Sequence, residues 1–195
     1  MRTVDLFVDP SCPYSWITAR WLTEVEQVRP IEVRWRLMSL SVLNEDEEVD
    51  PEGDTEGYLW RPVRLGVAVE QQHGRDALRR FLLAYGEQMH ERGEWGWHAA
   101  LAAAGLPAAL GEAAEDPAYD PLVRASHAEA MSLLGNHIGT PIVHCEGTAF
   151  FGPVLSRVPR GEEAGRLWDG TLLVAGTPGF HELKGHRHQP PDYRR

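Results

Sequence analysis

The stretch Val4-Asp5-Leu6-Phe7-Val8-Asp9-Pro10-Ser11-Cys12-Pro13-Tyr14-Ser15-Trp16 decides how the chain folds. From Thr3 to Val8 the apolar residues alternate as Val4, Leu6 and Val8, the period of a strand, and Asp9-Pro10 ends it in a turn. From Cys12 the period changes. Trp16, Ile17, Trp21, Leu22 and Val25 recur at spacings that line one helical face, and Pro13 fits the first turn, where a backbone N–H has no helical partner anyway. A cysteine thus stands between a buried strand and a helix that runs to about Val28.

Pro30 breaks that helix. Ile31, Val33, Trp35 and Leu37 then alternate with Glu32, Arg34 and Arg36, predicting a second strand. Two strands joined through a helix pair parallel, with a right-handed crossover, so the class is α/β. The acidic stretch 44–57, with eight Asp and Glu and no apolar period, predicts a solvated loop. From Tyr58 to about Leu134 the chain is rich in Ala, Leu, Glu and Arg and reads as several helices. Gly139-Thr140-Pro141 opens a hairpin of Ile142 to Cys145 and Thr148 to Phe151 across Glu146-Gly147. A helix from about Gly161 to Val174, a shorter one around Gly179 to Lys184 and a polar tail with Pro190-Pro191 complete the order. The division expected is a domain of residues 1–40 and 136–195, interrupted by a helical insertion at 41–135.

With 195 residues, 43% hydrophobic and 25% charged, the chain can bury one sizeable core and is neither disordered nor fibrous. Its net charge of −10, with no cluster of Lys and Arg, repels polyanions, so nucleic acid is an unsuitable partner. No apolar run of bilayer length and no N-terminal export signal is read, giving a cytoplasmic expectation with no membrane partner. The two cysteines are then judged as reduced thiols.

Cys12 is placed where unpaired backbone N–H groups and the helix dipole favour negative charge, so its thiol is expected to ionise readily and act as a nucleophile. The bland alternative is a buried structural cysteine. A dithiol motif needs a second cysteine at position 15, and Ser15 stands there, either donating a hydrogen bond to the thiolate or lying on the helix surface. Cys145 lies about 13 Å along a strand from Pro141 at ~3.3 Å per residue, too far for a disulfide near Cys12. A mixed disulfide on Cys12 must therefore be released by an external thiol. Pro141, in a turn, is a candidate cis proline.

Taken together, Asp9-Pro10, Cys12-Pro13, Trp16-Ile17-Thr18, Arg20-Trp21, Met38-Ser39-Leu40, Leu43-Asn44-Glu45, Ser126-His127, Gly139-Thr140-Pro141 and the run from Phe150 to Gly165 resemble the DsbA-like branch of the thioredoxin superfamily. Within it the match is to the mycothiol-dependent nitroreductase and FrnE-like group, nearly end to end. The resemblance implies a thioredoxin fold with an inserted all-helical subdomain, Cys12 as the attacking cysteine and Pro141 as the cis proline opposite it. It implies that Thr140 offers backbone hydrogen bonds to a bound thiol and that Asn44 lies in a loop near the thiol pocket. Members often carry Cys-Pro-Trp-Cys, so Tyr14 and Ser15 are departures that argue against a dithiol route. Pro13-Tyr14-Ser15-Trp16 also resembles kappa-class glutathione transferases and hydroxychromene-carboxylate isomerases, where a serine stands in place of Cys12.

The catalytic set expected is Cys12, Ser15 and Pro141, with Pro13, Tyr14, Asn44, Thr140 and Arg157 holding the thiol, Arg157 as a guanidinium clamp for a carboxylate. His127 is read as a packing histidine, or as one facing the cleft above Cys12. His186 and His188 lie in the polar tail, and no zinc-like spacing is present, so no metal is expected. Three functions are consistent with these residues: a monothiol thiol-disulfide oxidoreductase using mycothiol or another low-molecular-weight thiol as co-substrate, with no tightly bound cofactor and a small oxidised acceptor or a protein disulfide as its other partner; a kappa-class-like thiol transferase or isomerase; and a non-enzymatic thioredoxin-fold adaptor.

Overall fold

In the computed structural model, residues 1–187 and 189–193 are described, and His188 lies outside them. A four-stranded sheet in the order β2-β1-β3-β4 organises the chain. Strand β1 (Arg2–Val8) leads into α1 (Pro13–Val28), and β2 (Ile31–Leu37) returns parallel to β1, with Leu6 opposite Trp35. The hairpin β3 (Ile142–Cys145) and β4 (Thr148–Phe151) adds antiparallel on the other side of β1, with Phe7 opposite Ile142 and Val4 opposite Cys145. The central strand has both faces covered. Val4, Leu6 and Val8 pack with Trp21, Leu22 and Val25 of α1. Phe7 and Ile142 pack on the other face against Ala130.

Between β2 and β3 the described elements are helical: α2 (Leu40–Leu43), α3 (Trp60–His73), α4 (Arg75–Gly86) with a π-helical turn at Glu87–Glu91, α5 (His98–Ala103), 3-10 turns, and α6 (Asp120–Leu134). The acidic stretch before α3 is a series of turns. Asp50 and Asp54 side chains accept hydrogen bonds from the N–H groups of Glu52, Asp54, Tyr58 and Leu59 there, the local bonding by which Asp competes with helix.

After β4, α7 (Gly161–Ala175) lies against α1. Trp21 Nε1 donates to the Ala164 carbonyl at 3.1 Å, and the Trp21 and Trp168 rings stand 6.1 Å apart. The expected short helix around Gly179 to Lys184 does not form. Thr177-Pro178-Gly179-Phe180 is a turn, with Phe180 N–H bonded to the Thr177 carbonyl and Gly179 at φ +80°. Beyond it Leu183 is exposed, so no apolar face is buried to stabilise a helix. Nor does the tail simply trail away: Asp192 pairs with the main chain of residues 156 and 157. No helix among the described residues is long and apolar enough to cross a membrane.

Candidate active site

Cys12 is the N-cap of α1, and Pro13 is the first helical residue. The Cys12 N–H donates to the Asp9 carbonyl at 3.1 Å, and the Cys12 carbonyl accepts the first helical bond from Trp16. Its half-buried sulfur lies 4.0 Å from the Thr140 carbonyl, in position for a weak S–H bond. The Thr140–Pro141 peptide is cis, as is Gly152–Pro153, which the sequence reading did not anticipate.

Ser15 is buried, not on the helix surface. Its Oγ stands 2.8 Å from Thr140 Oγ1. The Thr140 hydroxyl also accepts from the Asp9 N–H at 3.2 Å and reaches the Phe7 carbonyl at 3.3 Å. Each hydroxyl has one proton, so the pair has two settings. If Thr140 donates to Phe7, Ser15 must donate to Thr140. If Thr140 donates to Ser15, the Ser15 proton is free to meet the Cys12 sulfur.

The electrostatics correct the expectation of a readily ionised thiol. Burial pushes Cys12 above its ordinary value, more than the Ser15 hydroxyl and the N–H groups of Ser15 and Tyr14 pull it down, and Asp9 adds to the rise. The helix start supplies N–H donors, as the sequence implied, but removal of the thiolate from water outweighs them. Asp9 is itself buried, its carboxyl raised by burial to about 6 although the Leu40 and Ser11 N–H groups hold the carboxylate form.

His90, which sequence reasoning missed, lies on the π turn beside α1. Its ring stacks 6.3 Å from Trp16, and its Nε2–H donates to the Pro10 carbonyl at 2.9 Å. Burial lowers its pKa, so the ring is neutral at neutral pH. Tyr14 points to the chain terminus, its hydroxyl donating to the Gln189 carbonyl at 3.1 Å. Tyr193 brings its ring to 6.4 Å from His90. Neither contact has a local sequence signal, since more than a hundred residues separate the partners.

The other predicted residues are distributed around this centre. Asn44 caps the end of α2, whose Leu40 and Leu43 side chains lie against Gly139, so it stands on the cis-proline side. Arg157 is exposed and pairs with Glu163 at 3.0 Å. His127 is buried on α6, with Nδ1 accepting the Ser39 N–H at 3.4 Å, which is the packing role. Cys145 is a free, buried thiol on β3, opposite Val4, three rungs back from the Phe7–Ile142 pair at the end of the strand pairing nearer Cys12.

Comparison with known proteins shows the fold and the family. An uncharacterised protein of Mycobacterium tuberculosis, Rv2286c, is 32% identical over 191 residues, covering 94% of this chain and 82% of that protein. Among solved structures, the probable DsbA oxidoreductase SCO1869 of Streptomyces coelicolor superposes with a TM-score of 0.57 at 17% identity, over 95% of this chain and 94% of that one. A 2-hydroxychromene-2-carboxylate isomerase superposes with a TM-score of 0.60 at 13% identity, over 88% and 93%. These structures show the fold, a DsbA-like thioredoxin fold. Residues 11–185 match the family described as Rv2466c-like, mycothiol-dependent nitroreductase Rv2466c, and the chain belongs to that family.

Proposed function

We propose that this protein is a thiol-disulfide oxidoreductase in which Cys12 is the sole nucleophilic cysteine and a low-molecular-weight thiol, mycothiol by family, is the co-substrate. The observation that carries the reading is the pairing of Cys12, at the start of α1, with the carbonyl of Thr140 before cis-Pro141, while the place of a resolving cysteine is held by Ser15. Cys145, buried on β3, supplies no substitute.

Cys12 loses its proton to solvent, and the thiolate attacks one sulfur of an acceptor disulfide. One S–S bond forms, the acceptor S–S bond breaks, and the departing thiolate takes up a proton. An external thiolate then attacks the sulfur carried by the acceptor fragment, releasing the Cys12 thiolate and a mixed disulfide of the external thiol. In sum, a disulfide and one thiol exchange for a new disulfide and one thiol. Ser15 stabilises the Cys12 thiolate when Thr140 donates to it. Thr140 offers its main chain to the incoming sulfur compound, while Pro13, Tyr14 and Asn44 flank it. Arg157 holds its carboxylate only after leaving Glu163. The chemistry suits a reducing compartment such as the cytoplasm, where an external thiol is supplied continuously.

A second reading is favoured by the raised Cys12 thiol. If Cys12 stays protonated, the site can instead hold a bound thiol and activate that thiol's sulfur, as a transferase or isomerase would. Turnover of small disulfides and nitro compounds with mycothiol, followed by intact mass, separates the two. The first reading expects Cys12→Ala to abolish turnover, Cys145→Ala to leave it nearly intact, and a one-thiol adduct to map to Cys12. Full activity in Cys12→Ser, with no adduct in the wild type, would select the second.

A further inference from the structure

We propose that the C-terminal segment 189–193 is a wall of the Cys12 site, and that Tyr193 sets the size of the acceptor that reaches the sulfur. The inference rests on Cys12 being the reacting atom.

The segment is fixed from several directions around the cysteine. The Gln189 carbonyl accepts both the Tyr14 hydroxyl and the Ser156 hydroxyl, each at 3.1 Å. The Asp192 N–H donates to the Ser156 carbonyl at 2.6 Å, and residues 157 and 192 form a parallel bridge. Tyr193 then lays its ring on His90, tilted by 33°, and His90 is held by Trp16 on one side and the Pro10 carbonyl on the other. Pro10, Tyr14 and Trp16 bracket Cys12 in the chain; Tyr14 holds the segment directly and the other two hold it through His90, while Ser156 and Arg157 supply its remaining anchors. Tyr193 is half-buried, belongs to the edge of the hydrophobic core, and is near enough to Cys12, Tyr14 and Glu91 for their charges to add to burial in raising its phenol.

The anchoring is of a kind that fixes position without tolerating bulk. Three of its bonds use main-chain groups of the segment, and the fourth contact is the tilted ring pair of Tyr193 and His90. A small thiol or disulfide can share the site with the ring. A large acceptor needs the ring out of the way.

The test uses the full chain carrying Cys145→Ala and reads the rate of Cys12 modification by two reagents of one chemistry, N-ethylmaleimide and a maleimide bearing a large fluorophore. Tyr193→Ala is expected to raise the bulky-to-small rate ratio by about tenfold, a change of about 1.4 kcal/mol in relative barrier. Tyr193→Phe, which keeps the ring, is expected to keep the wild-type ratio, and Tyr14→Phe, which removes one of the two hydroxyls bonded to the Gln189 carbonyl, to shift it by less but in the same direction as Tyr193→Ala. Circular dichroism melts confirm that each variant is folded. An unchanged ratio in Tyr193→Ala overturns the proposal, and so does a Tyr193→Phe protein that behaves like the alanine variant. The readout needs no turnover, so loss of the redox reading, seen as activity surviving Cys12→Ala, is distinguishable from loss of the wall.

Discussion

Asp9 joins two parts of the site that the sequence separates. One carboxylate oxygen accepts from the Ser11 N–H and the other from the Leu40 N–H, both at 2.8 Å, while its own N–H goes to the Thr140 hydroxyl. Its carboxyl titrates at about 6, so above that pH it carries a charge that opposes ionisation of Cys12. Cys12 titrates on the alkaline side of Asp9, where Asp9 is anionic. Removing that charge should therefore move the pH of half-maximal Cys12 alkylation downward in Asp9→Asn relative to wild type. A midpoint that stays put or moves upward would show that the Asp9 charge is not felt at the sulfur. The sequence made Cys12, Ser15 and Pro141 legible because their signals are local: a strand, a helix start and an X-Pro turn within a few residues. It did not reveal the direction of the Cys12 ionisation, because a helix start is written in neighbouring residues while burial is assembled from residues distant in the chain, such as Thr140 of the cis-proline loop. The same limit applied to Ser15, which is buried with its hydroxyl on Thr140, a partner 125 residues away.

At the scale of elements, β1, α1, β2 and the hairpin follow from periodicity, since each buries a face of its own. The π turn at Glu87–Glu91 does not, because it continues the amphipathic pattern of α4 and differs only in how the backbone is wound. That winding matters, as extra residues in a helical turn often mark functional positions, and here it carries His90 to Trp16 and Pro10. Gly86, the last residue of α4, makes the approach possible: a Cβ built there would sit 2.3 Å from the Trp16 indole. Gly86→Ala must push the indole away, and with it the His90 stack. Overpacking of this kind costs about 1–3 kcal/mol. The expected result is a lower urea midpoint together with a changed Trp16 environment in fluorescence. An alanine variant with wild-type stability would mean that α4 moves off α1 freely, and that the π turn does not fix His90.

For the whole molecule, the helical block does more than cover the sheet. Phe81, Leu82 and Tyr85 of α4 and Val63, Leu65 and Val67 of α3 belong to the same contiguous buried cluster as Leu6, Trp21, Val33 and Leu37. Gly66 brings α3 so close to the sheet that a Cβ there would lie 2.8 Å from Leu37. A sequence division at residues 40 and 136 describes the order of elements, but apolar surface in a shared core is lost from both parts at once when either unfolds. Cooperative unfolding is the consequence, because neither part retains its buried area without the other. Thermal or urea unfolding followed by far-ultraviolet circular dichroism reports largely on helices of the inserted block. Tryptophan fluorescence reports in large part on Trp16, Trp21, Trp35 and Trp168, which are buried around the sheet. The two curves should coincide with one midpoint and one slope. Two separated midpoints would mean that the inserted helices and the sheet are independently stable, in which case the Trp16–His90 contact across that boundary would open without global unfolding, and access to Cys12 would be governed by the helical block as well as by Tyr193.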